Sequence, residues 1–96
     1  MIYELLGDGF ENKVTTPELM DRLGLSRREV IAQVQRERNK EGKIILSTKA
    51  DGGGYYRPSS VEEMQIFYRG MRKEALSRLH ILTSVRRKIK EKGGEV

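Results

Sequence analysis

The stretch Thr15–Pro58, TTPELMDRLGLSRREVIAQVQRERNKEGKIILSTKADGGGYYRP, decides how this chain folds. It holds two helix starts on either side of Gly24, then two β-prone runs joined through Gly52-Gly53-Gly54. Thr16-Pro17-Glu18 reads as the first start: threonine caps free N–H groups, proline is tolerated in the first turn, and an acid suits the positive end of the dipole. Leu19, Met20 and Leu23 form the inward face of this helix. Gly24 ends it, where a left-handed backbone costs glycine least. Leu25 alone separates that glycine from Ser26-Arg27-Arg28-Glu29, a capping box in which serine and glutamate each satisfy a backbone donor of the other. Val30, Ile31 and Val34 make a narrow apolar stripe, and a helix is expected over 26–41 with Gly42 as its stop. Ile44-Ile45-Leu46 and Tyr55-Tyr56 read as short strands around a flexible turn from Lys49 to Gly54, and Pro58 closes the unit.

Outward from this unit the signals are simpler. Ile2, Leu5 and Leu6 have helical spacing, so a short first helix is expected, ended by Gly7-Asp8-Gly9. Phe10 and Val14 are expected in the core, with Lys13-Val14-Thr15 a brief edge strand. Ser60-Val61-Glu62-Glu63 is another capping box and opens the longest helical pattern of the chain. With Val61 at heptad position a, Tyr68, Ala75, Leu82 and Ile89 also fall at a, and Met64, Met71, Arg78 and Val85 at d. Phe67, Leu79 and Ile81 widen the stripe. Gly70 weakens this helix without ending it, and Gly93-Gly94 stops it. The expected organisation is a domain over 1–58, a long helix over 59–92 and a flexible tail over 93–96.

With 96 residues the chain has little core to spare. Its formal charge of +5 favours polyanionic partners, nucleic acid or an acidic membrane surface. The absence of cysteine excludes disulfides, thiolate chemistry and cysteine–zinc sites. No apolar run approaches the roughly 20 residues that span a bilayer, and the N-terminus lacks the pattern of a signal peptide. A soluble cytoplasmic protein is expected. His80 is the single histidine and has no clustered carboxylates beside it, so no enzyme, metal site or cofactor is expected. The glycine-rich turn lacks the Gly-Lys-Ser/Thr ending of a phosphate-binding loop.

Two helices joined by so short a turn cross steeply, and the second projects its outer face away from the body. Opposite Val30, Ile31 and Val34 lie Arg28, Ala32, Gln35, Arg36 and Asn39, flanked by Glu29, Gln33 and Lys40. Arginine donates two bonds to guanine, glutamine or asparagine pairs with adenine, and a small alanine allows close approach, so this face suits the major groove of duplex DNA. Arg27 lies near the inward edge of the wheel, and from the first turn it is still expected to reach a phosphate. In the hairpin the candidate contacts are Lys49 and Arg57. The glycine tip either approaches the DNA backbone or is only a loose turn, and Asp51 opposes contact unless it pairs with Lys49 or turns away. Tyr55 and Tyr56 alternate across their strand, one toward the core and one exposed.

The last helix has two readings. It pairs with a second copy through Tyr68, Met71, Ala75, Leu79, Leu82, Val85 and Ile89, or it folds back onto the core. A division is expected, with Val61 to Met71 covering the body and Ala75 onward meeting a partner. Arg78 is expected to reach Glu74 or a partner acid, or to sit at the edge of the seam. The basic cluster Arg86, Arg87, Lys88, Lys90 and Lys92 either complements the helix dipole or contacts an acidic partner.

From Thr16 to Pro58 the pattern resembles the winged helix-turn-helix DNA-binding domains of bacteria and phages. Leu25-Ser26-Arg27-Arg28-Glu29-Val30, Gly42 and Gly53-Gly54-Tyr55-Tyr56 are similar to the N-terminal domain of biotin-ligase repressors. With the Pro58-Ser59-Ser60 start and the basic final helix included, the chain resembles small uncharacterised helix-turn-helix proteins of Firmicute prophages. Many such domains carry leucine three residues after the aliphatic residue at Val34. Here Glu37 stands in that place, so the end of the second helix is expected to be shorter or differently angled. No ligase segment is present. The resemblance implies a mainly α fold with a small β-hairpin and a homodimeric phage or prophage transcriptional regulator of double-stranded DNA. The competing expectation is a protein-interaction module that tethers a replication or packaging partner through the same domain and the basic helix.

Overall fold

Two capping boxes start the first two helices. Thr15 Oγ1 accepts from Glu18 N–H at 3.3 Å while Thr15 N–H donates to the Glu18 carboxylate, so the cap lies one residue before the expected Thr16. The first helix, α1, therefore runs Thr16–Leu23. The second, α2, runs Arg27–Lys40, capped by Ser26 through Glu29. These helices belong to a computed structural model that describes residues 1–96, mainly helical, with one two-stranded antiparallel sheet and a long C-terminal helix. No helix is long and apolar enough to cross a membrane. The chain divides into two compact units, Met1–Gln65 and Ile66–Val96.

In the first unit Ile2, Leu6, Val14, Leu19, Val30, Val34 and Ile45 form the buried core, with Met20, Leu23, Leu25 and Tyr55 packed against it. The sheet pairs β1 (Leu46–Thr48) with β2 (Gly54–Tyr56), Leu46 opposite Tyr56 and Thr48 opposite Gly54. The first strand thus starts two residues later than the apolar run Ile44–Leu46 predicts. Ile44 is exposed, and the carbonyl of Ile45, one residue before the ladder, accepts from Arg38 at 2.9 Å (Nε) and 2.6 Å (Nη2). Val14 forms an isolated antiparallel bridge to β2, exchanging both backbone hydrogen bonds with Tyr55 at 2.8 and 2.9 Å. Tyr56 is buried and meets Phe10 edge to face at 5.9 Å, while Tyr55 is half-buried on the opposite side of β2. Neither tyrosine is fully exposed.

The expected first helix is a 3-10 turn, Tyr3–Leu5. The amides of Ile2 and Tyr3 are instead held by the Glu37 carboxylate, each at 2.9 Å. Gly7 and Gly9 then bracket a backbone exchange with Arg57: its N–H donates to Gly7 O at 2.9 Å and its carbonyl accepts from Gly9 N–H at 2.7 Å.

The last helix, α3, runs Val61–Glu91, about 46 Å at ~1.5 Å per residue. Ser60 Oγ accepts from Glu63 N–H at 3.1 Å. The Glu63 carboxylate takes the amides of Ser59 and Phe10, each at 2.9 Å, so the reciprocal half of the expected box is displaced by one residue. The helix ends where expected. Gly93 is left-handed, its N–H donates to Lys90 O, and Gly94 N–H donates to Ile89 O, a Schellman motif. None of the α3 side chains is fully buried: Val61 is 60% and Tyr68 65% exposed, against the expectation that Val61 to Met71 form a covered segment.

Candidate nucleic-acid interface

The geometry of the candidate face begins at Gly24. Its backbone is left-handed (φ 65°, ψ 32°), and the N–H groups of Gly24 and Leu25 both donate to Met20 O, at 2.8 and 3.2 Å. This closes α1 and leaves one half-buried residue, Leu25, before the Ser26 cap. The hydrogen bonds from the backbone and hydroxyl of Ser26 hold the Glu29 carboxyl below its ordinary range.

Burial fixes which way α2 faces. Val30, Val34 and Glu37 point into the unit, while Arg27, Arg28, Ala32, Gln35, Arg36, Asn39 and Lys40 are exposed. Ala32, Gln35, Arg36, Asn39 and Lys40 line one shallow open depression. Ile31 departs from expectation: it is 43% exposed, because the core-facing stripe uses the spacing 30, 34, 37 and Ile31 lies about 100° round from Val30.

Glu37 does not shorten α2. It occupies the core position fully buried and is satisfied there by the Ile2 and Tyr3 amides and by the Gln33 side-chain amide at 2.9 Å. Burial pushes its carboxyl up, but these hydrogen bonds outweigh that and hold it below the usual range. Gln33 is thereby half-buried and tied at the edge of the face, apart from Gln35, Arg36 and Asn39. Arg38, which sequence reasoning passed over, is the second anchor. Its guanidinium clamps the Ile45 carbonyl and lies 3.4 Å from Ser47 Oγ, joining α2 to the strand that follows it. The periodicity that placed Val30 and Val34 inward continues to 37 and 38, and that was the available signal for both anchors.

The hairpin tip is a hydrogen-bonded turn. Asp51, Gly52, Gly53 and Gly54 have φ of 50°, 84°, 80° and 142° in succession. Gly53 N–H closes on Ala50 O at 3.0 Å, and Ala50 N–H on Thr48 Oγ1 at 3.0 Å. Gly54 has no room for a side chain: a Cβ there would stand 2.9 Å from Val14 O. Lys49 and Asp51 are both exposed, and no ion pair joins them. Arg57 is placed differently from Lys49. It is half-buried at the base of the hairpin, its guanidinium 5.4 Å from the Tyr3 ring centre. Its Nε lies 2.9 Å from Asp8 Oδ1, an ion pair without hydrogen-bond alignment.

In the second unit the seven candidate seam residues lie along α3. Tyr68, Met71, Ala75, Leu79, Leu82 and Val85 are exposed, and Ile89 is half-covered where Gly94 folds back to it. Ile66 and Leu76 are also exposed and lie off that stripe, and Ile81, exposed too, lies at its edge. Arg86, Arg87, Lys88, Lys90 and Lys92 remain a basic cluster, with Lys88 3.8 Å from Glu91. No protein-family model, curated protein or solved structure matches the chain.

Proposed function

We propose that the chain is a winged helix-turn-helix protein that binds double-stranded DNA, with α2 entering the major groove. The observation that carries this reading is the exposed face of α2, where Arg28, Gln35, Arg36 and Asn39 surround Ala32 with no acidic side chain among them. Arginine and amide side chains are the common readers of base edges, and the small residue permits close approach. Arg27, Lys40 and Lys49 supply phosphate contacts around it. The hydrogen-bonded Gln33 and the Asp8-paired Arg57 act as supports in this reading. The function is that of a phage or prophage transcriptional regulator in the cytoplasm, working as a homodimer through α3.

The test is selection of bound sequences from random duplex with the purified full chain, repeated at several salt concentrations. A preferred site with two related halves, weakened steeply by salt, is expected. Equal affinity for all duplexes at moderate salt overturns the reading. The exposed apolar residues of α3 favour a second possibility, a module that tethers a replication or packaging protein. Its mark is a stable complex with such a protein that survives Arg28→Glu and Arg36→Glu together.

A further inference from the structure

Along α3 the charges are unevenly spread. Glu62, Glu63 and Glu74 balance Arg69, Arg72 and Lys73 in the first half, whereas the last turns carry Arg86, Arg87, Lys88, Lys90 and Lys92 against Glu91 alone. The exposed apolar stripe is interrupted once, by Arg78 at a d position. In a parallel pair, residues at a and d face their own copies. That arrangement sets Arg78 against Arg78 in the seam and lays one basic end beside the other, both opposed by like-charge repulsion. An antiparallel pair removes both conflicts.

We infer that two copies of α3 pair antiparallel, about a two-fold axis between Leu76 and Ser77. This rests on the homodimer of the proposed function and does not depend on DNA contact. Each a position then meets a d position of the second copy: Tyr68 with Val85, Met71 with Leu82, and Ala75 with Arg78. The central layers pair the smallest stripe residue with the longest, so the Arg78 stem packs over Ala75 and its guanidinium reaches out to solvent. The basic ends lie at opposite ends of the pair, each beside the near-neutral first half of the other helix. Ser60 caps the start and the Gly93 motif closes the end, so the helix that pairs is complete within the single chain.

The chain has no cysteine, which makes engineered cross-links unambiguous. Met71→Cys and Leu82→Cys chains, purified separately with tags of different size, are oxidised alone and mixed, and the mass of the unmodified protein is measured by sedimentation. A dimer mass is expected, with a disulfide in the mixture and none in either variant alone. In the antiparallel register, residue 71 of one copy is roughly 16 Å along the axis from 71 of the other at ~1.5 Å per residue. A disulfide requires Cα atoms within about 7 Å. Tyr68→Cys mixed with Val85→Cys repeats the test one layer further out. Cross-linking of Met71→Cys with itself establishes a parallel seam and overturns the inference. A dimer that cross-links in neither pair overturns the register. A monomer mass overturns the dimer itself, whatever the outcome of the DNA selection.

Discussion

Glu37 is a buried charged side chain that serves as the anchor for the amides of Ile2 and Tyr3. Glu37→Ala leaves two backbone donors without a partner and is expected to cost about 2–3 kcal/mol in urea unfolding. Its carboxyl is held below the usual range in the fold, so its contribution is complete above the unfolded value of about 4.5 and is lost as pH falls through the lower folded value. Unfolding free energies measured from neutral pH down to about 3 should therefore decline more steeply for the wild type than for Glu37→Gln. Two glycines allow a comparison of cause. At Gly24 nothing lies within 4 Å of an added Cβ, so Gly24→Ala should cost only the backbone term, about 1 kcal/mol. Gly54→Ala adds a clash with the Val14 carbonyl and should lower the melting temperature distinctly more.

Among the elements, those set by neighbours in sequence were the most legible. The starts of α1 and α2 and the ends at Gly24, Gly42 and Gly93 follow from residues within one turn of the boundary, and the structure has them within one residue. The β1 boundary was not legible, because Ile44–Leu46 is uniformly apolar and its pairing is set by partners outside the run, Tyr56 opposite Leu46 and Arg38 on the Ile45 carbonyl. The Glu37 site was hidden for a similar reason: its donors, Ile2 and Tyr3, are far away in sequence. A carboxylate at a core position therefore looked like a fault in α2. The basic and amide face of α2 was legible because burial of Val30 and Val34 alone fixes the opposite side. For α3, Leu82 is 64% exposed in the single chain. Leu82→Asp should leave helicity by circular dichroism close to unchanged while shifting the sedimentation mass from that of the proposed dimer to that of a monomer.

For the whole molecule, the excess of positive charge sets how the proposed DNA binding responds to solution conditions. Removing one phosphate-binding cation should flatten the plot of log affinity against log salt by about 0.9. Lys40→Ala and Lys49→Ala should each do so while weakening all duplexes alike, whereas Arg36→Ala or Asn39→Ala should erode the preference for the selected site. Both outcomes are read from the same titrations on specific and random duplex. The Arg38 clamp has a consequence for how this molecule breathes. A hairpin of two three-residue strands is marginal in isolation. Tied to α2 by a guanidinium and to residue 14 by a backbone exchange, it can open only when those elements give way. Amide hydrogens of Tyr55 and of the middle of α2 should then exchange with one common opening free energy, and Arg38→Ala should split it into two, releasing the hairpin first.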